Sequence, residues 1–131
     1  MPDRRLAHVA LVIDDYDTAI DYFTRVLDFE LIADTPLGGG KRWVLVGAKG
    51  RGGSALLLAE ASDAEQKARI GDQTGGRVFL FLDTDDFDRD FASFTQKGVE
   101  FLEAPRHEPY GTVAVFRDRW GNKWDLIQLK R

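Results

Sequence analysis

His8-Val9-Ala10-Leu11-Val12-Ile13-Asp14 and, 69 positions later, Arg77-Val78-Phe79-Leu80-Phe81-Leu82-Asp83 are one element written twice. Each is a short apolar run ending in an aspartate. Each leads into a helix with rings on one face: Tyr16 and Phe23 with Ile20 in the first, Phe87, Phe91 and Phe94 in the second. The i, i+4, i+7 spacing is that of a buried helical stripe. A second strand follows each helix, at Phe29-Glu30-Leu31 and at Val99-Glu100-Phe101. A period this long in two copies is no solenoid. It predicts two βαβββ modules, 1–62 and 76–131, joined by a connector at 63–75 to make one domain over 1–131. Pairing them would build a pocket from equivalent positions, so function is expected on the first and last strands of each module.

Composition narrows the classes. A chain of 131 residues with net charge -4 has no basic face for nucleic acid. No run approaches the ~20 apolar residues of a membrane span, and no signal-like stretch precedes the first strand, so a cytoplasmic protein is expected. The chain has no cysteine, which excludes disulfides, zinc–thiolate sites and thiol nucleophiles.

Punctuation along the chain completes the outline. Asp14 or Asp15 can cap the first helix, which should end near Val26 or Leu27, with Asp28 in a left-handed conformation. Turns are expected at Leu37–Gly40 and Gly50–Gly53, and strands at Arg42–Val46 and Ser54–Glu60. Ala64–Ile70 suits a short helix, stopped by Gly71. In the second half, a helix covers about Asp86–Gln96, Pro105–Gly111 reads as a loop, and strands at Thr112–Arg117 and Lys123–Leu129 flank a turn at Trp120–Asn122.

The opening His8–Val12, with Ala19-Ile20-Asp21-Tyr22-Phe23 and Val26–Leu31, resembles the vicinal-oxygen-chelate superfamily. That group includes glyoxalase I, extradiol dioxygenases and bleomycin-resistance proteins. The close Phe116-Arg117-Asp118-Arg119-Trp120-Gly121-Asn122-Lys123-Trp124-Asp125-Leu126 is similar to the family's F-x-D-P-x-G-N-x-x-E-L ending. The resemblance implies an α+β fold of paired βαβββ modules, with curved mixed sheets and helices outside, and a homodimer. It also implies one divalent ion on ligands from the first and last strands of each half, acting as a Lewis acid on a substrate with two neighbouring oxygens.

Carried over residue by residue, that ligand set is incomplete. His8 matches the first-strand ligand and Asp125 the last-strand carboxylate, one methylene shorter than glutamate. The repeat partner of His8 is Arg77, a permanent cation. The partner of Asp125 falls at Leu56 or Leu57. Glu60 lies ~10–13 Å along the strand from there. A divalent metal is therefore possible but not favoured, and the cofactor is left open.

Other residues offer chemistry without metal. Arg77 can bind a carboxylate through its planar fork or pair with Asp125; alternatively it is a solvated strand-edge residue. Pro105–Gly111 brings Arg106, His107, Glu108 and Tyr110 together. His107 and Glu108 suit acid–base work, and Arg106 and Tyr110 suit ligand contact; a mixed-polarity surface turn is the plain alternative. Trp43 is the best of the tryptophans for stacking a planar ligand. Trp124 should face away from Asp125 by strand alternation. The preferred reading is a small-molecule-binding protein with a depleted metal site. The alternatives are a metal-dependent lyase or dioxygenase of the glyoxalase type, or a metal-free enzyme using His8 or His107/Glu108 as base.

Overall fold

The computed structural model describes residues 1–50 and 52–131. Arg51, in the turn expected at 50–53, lies outside the described residues. The chain divides into two compact units, Met1–Ala68 and Arg69–Arg131.

Unit 1 contains β1 (His8–Ile13), α1 (Tyr16–Asp21), β2 (Glu30–Gly38), β3 (Lys41–Gly47), β4 (Ala55–Glu60) and the short α2 (Ala64–Ala68). Its sheet has the order β1-β4-β3-β2, with β1 parallel to β4 and the other pairs antiparallel. Alternation along β1 sorts the faces. Leu11 and Ile13 are fully buried, whereas His8 and Ala10 are exposed. The buried face also carries Val44, Val46, Leu56 and Leu58. α1 lies against β3 and β4, supplying buried Tyr16 and Ala19. Each fully covered aliphatic side chain there stabilises the unit by roughly 1.5–3 kcal/mol.

Local chemistry sets the ends of α1. Asp15 is the N-cap, its carboxylate accepting from Thr18 N–H at 2.9 Å, and this hydrogen bond lowers its pKa. The helix widens into a π-helical turn at Tyr22–Val26, where Thr24 Oγ1 donates to the Ile20 carbonyl at 2.7 Å. The turn delivers Phe23 to the core, against Phe29 at 5.3 Å between centroids. Asp28 then adopts φ 59°, the left-handed conformation expected of it. The strand begun at Phe29–Leu31 runs much further than its sequence suggests, to Gly38. It tolerates Pro36 because it is the outermost strand of its sheet.

Unit 2 contains β5 (Val78–Asp83), α3 (Phe87–Gln96), β6 (Glu100–Phe101), β7 (Arg106–Glu108), β8 (Gly111–Arg117) and β9 (Lys123–Leu129). The order is β5-β9-β8-β6, with β7 also on β8; β5 and β9 are parallel. α3 buries Phe87 and Phe94, and Phe94 meets Phe116 edge-on at 5.6 Å. Phe116 in turn stacks on Trp124.

The segment Pro105–Gly111 is not a loop. Arg106–Glu108 pairs with β8 along the lane that β6 begins, and a tight turn at Pro109–Tyr110 reverses the chain. Between β6 and β7 the ladder is bridged by a side chain: Glu103 Oε2 accepts from Val115 N–H at 3.0 Å. Charged residues hid this strand, because its pairing depends on β8 and not on its own hydrophobicity. Gly111 makes the turn possible. Its φ is +152°, and a Cβ there would stand 2.2 Å from the Gln128 carbonyl oxygen.

The β8–β9 turn is organised by Asp118, buried at 4% exposure. Its Oδ1 accepts from the backbone N–H groups of Trp120, Gly121 and Asn122 at 2.9–3.0 Å. Its Oδ2 accepts from Trp124 Nε1 at 3.0 Å and from Asn122 Nδ2 at 3.3 Å. No helix among the described residues is long and apolar enough to cross a membrane.

Candidate functional site

In unit 1 the face away from α1 carries His8. Register sets Ala55 beside His8, Leu57 beside Ala10 and Ala59 beside Val12. Leu45 continues the row from Leu57, and Trp43 lies two residues along β3 on that same face. The Trp43 ring, 38% exposed, meets the His8 imidazole edge-on, with centroids 5.8 Å apart and an interplanar angle of 73°. The result is an aliphatic platform with one indole and one imidazole. An indole N–H is a donor only and cannot ligate a metal.

The register corrects one assignment. Val12 pairs with Ala59, and Phe81 pairs with Asp125. Under the 69-residue repeat the counterpart of Asp125 is therefore Ala59, not Leu56 or Leu57. Leu56 is buried on the helix-covered face. Glu60 is engaged elsewhere, accepting from Tyr16 N–H at 3.3 Å at the start of α1.

In unit 2 the face away from α3 carries Asp125, in a row with Phe81 on β5 and Val115 on β8. Trp124 points the other way, 2% exposed, as alternation requires. Asp125 Oδ1 is buried with no hydrogen-bond partner among the described residues. Burial raises the Asp125 pKa from its ordinary value; Arg106 opposes the rise and Glu103 adds to it.

Arg106 is tied to Glu103 through Nε at 3.0 Å and to Glu108 through Nη1 at 3.2 Å. Glu103, Tyr110 and Glu108 together hold its guanidinium firmly in the charged form. Three of the residues predicted from one segment, Arg106, Glu108 and Tyr110, are thus brought together. His107 is not brought to them: it alternates to the opposite face of β7, where Nδ1 meets Thr112 Oγ1 at 3.3 Å. The side chains of His107 and Glu108 thus lie on opposite faces of β7 and are not brought together. Arg77 is exposed just ahead of β5, with Thr74 Oγ1 donating to its carbonyl at 2.7 Å.

His8 and Asp125 belong to different units. Among the described residues, no group of three or more His, Cys, Asp or Glu side chains is placed to hold a metal ion. An open cleft of about 480 Å³ on the β2–β3 hairpin is lined by Asp34, Pro36, Gly38, Gly40, Lys41 and Arg42. None of the candidate residues lines it, and Arg42 is already paired with Asp17 and Asp34 at 2.9 and 2.8 Å. Glu103 was not singled out from the sequence. Its signal is position: it stands three residues before Arg106 in an interrupted strand lane.

The chain belongs to the Glyoxalase/Bleomycin resistance protein/Dioxygenase superfamily, whose family model matches residues 5–126. It shares that superfamily's fold of two curved mixed sheets with few helices. An uncharacterised protein of Shewanella frigidimarina is 53% identical over 125 residues, covering 95% of this chain and 93% of that protein. The crystal structure of UcmS2 is similar at a TM-score of 0.82 with 31% identity, covering 96% of this chain and 98% of the other. TnmS3, an antibiotic binding protein from Streptomyces sp. CB03234, is similar at a TM-score of 0.77 with 28% identity, covering 99% of each chain.

Proposed function

We propose that this protein binds a small planar organic molecule without a resident metal. The observation that carries the reading is the Trp43–His8 pair on its aliphatic platform. A catalytic metal needs three or four protein donors, and His8 is flanked by Ala55, Ala10 and Trp43, which provide none. The same surface suits a flat apolar ligand, because an indole supplies a large rigid contact and aliphatic neighbours exclude water. The likeness to TnmS3 supports this reading.

Calorimetric titration of chelator-treated protein with a panel of planar aromatic antibiotics tests it. Saturable binding is expected, unchanged by chelator and weakened at least about ten-fold in Trp43→Ala. Turnover that disappears on chelation and returns with a divalent ion would establish the lyase or dioxygenase alternative. Turnover indifferent to chelation, lost in His8→Ala, would establish a metal-free enzyme. The reading includes a cytoplasmic homodimer, for which light scattering should return twice the 14.7 kDa chain mass.

A further inference from the structure

We propose that the open face of unit 2 selects a cationic aromatic ligand, seating its ring on Phe81 and its protonated amine on the Asp125 carboxylate. The inference rests on the small-molecule reading above and adds to it a binding face on unit 2 with its own chemical class of ligand. Phe81 and Asp125 are Cα partners on neighbouring parallel strands, so their side chains share one face at about the 4.8 Å strand spacing. Phe81 is 65% exposed although it lies in the middle of β5. A bare ring there offers its π face to another ring or to a cation.

Asp125 supplies the complementary half. Its Oδ1 is buried and accepts from no donor among the described residues, while the residue as a whole remains partly exposed. A carboxylate left in that state lacks a donor or a counter-charge. Arg106 is the nearby cation, but it is committed to Glu103 and Glu108. Arg117 and Lys123 lie one alternation step away on the same face, and Arg117 is paired with Glu100 at 3.2 Å, so the preference for a cation is assigned to the unpaired Oδ1 of Asp125 and not to the net charge of the face. A ligand with ring and ammonium about 5 Å apart spans the Phe81–Asp125 pair. An arylalkylamine has that form.

The test uses the full chain without metal and two probes of one shape, naphthylethylamine and naphthylpropionate, followed by NMR chemical-shift titration. The amine is expected to bind about ten-fold or more tightly than the carboxylate, with shifts at Phe81 and Asp125. Asp125→Asn, which keeps the side chain's shape, should abolish the preference. Phe81→Leu should weaken the amine in a chain that folds normally. Equal or tighter binding of the carboxylate, a preference that survives Asp125→Asn, or no binding of either probe would overturn the inference. Binding of panel antibiotics without any preference for cations would overturn it while leaving the proposed function standing. Amine selectivity with no antibiotic bound would do the reverse.

Discussion

Replacing Asp118 by alanine should unfold the β8–β9 turn at a cost that can be worked from its contacts. The change removes the carboxylate acceptor from the N–H groups of Trp120, Gly121 and Asn122, from Asn122 Nδ2 and from Trp124 Nε1, although Gly121 N–H keeps the Asp118 carbonyl at 3.1 Å. A buried donor left unsatisfied costs about 1–3 kcal/mol. The Trp124 indole sits 2% exposed and cannot turn to solvent, so it bears the full cost. The Trp120 and Gly121 donors are only part-buried, so water entering the space left by the carboxylate restores part of their loss, whereas Asn122 is buried at 4% exposure. Relief from burying a charge offsets some of the remainder. The expected net loss is about 3 kcal/mol, a large share of the ~5–15 kcal/mol that holds a domain of this size. Urea unfolding followed by tryptophan fluorescence reads it directly, as a lower midpoint at unchanged slope. Asp118→Asn should fall between, since one oxygen is kept for the backbone donors while an amide N–H₂ confronts Trp124 Nε1. A loss under about 1 kcal/mol for Asp118→Ala would refute the claim that this carboxylate organises the turn.

Three further outcomes follow from named contacts. Gly111→Ala should cost about 2 kcal/mol or more, because its Cβ meets the Gln128 carbonyl and its φ of +152° is strained for alanine; thermal unfolding checks it. Asp15→Ala should cost about 1 kcal/mol by removing the cap on Thr18 N–H, seen as a lower urea midpoint. The raised Asp125 pKa has a defined sign: the folded state holds this proton to higher pH than the unfolded chain does. Its stabilising contribution is complete below the unfolded carboxylate range and is lost as pH rises through the folded value. Asp125→Asn should therefore flatten that part of the stability–pH curve and gain on the wild type as pH rises, with a carboxyl ¹³C titration showing a midpoint raised from the ordinary aspartate value.

The fold was legible because two signals agreed. The repeated apolar run placed β1 and β5, and the ring stripes placed α1 and α3 at the same distance from each. Asp28 and the β8–β9 turn were legible from local backbone chemistry. What escaped notice depended on neighbours. Glu30–Gly38 carries proline and acidic residues and is a strand through pairing with β3, and Arg106–Glu108 is a strand through pairing with β8. The site followed the same division. His8 and Asp125 could be placed on their faces by alternation, as could the outward turn of Trp124. The contact of Trp43 with His8 and the capture of Arg106 by Glu103 could not, because each joins residues whose separation is fixed only by sheet register. The separation of His107 from Glu108 became visible only once their segment was known to be extended.

The central claim is that the ligand is bound without a resident metal. Its most direct test is elemental analysis of the protein after incubation with nickel, zinc, manganese, iron and cobalt salts and exhaustive dialysis. The account predicts retention far below one ion per chain for every metal, with antibiotic binding intact in the same samples. Stoichiometric retention of any one of them, abolished by His8→Ala, would contradict it.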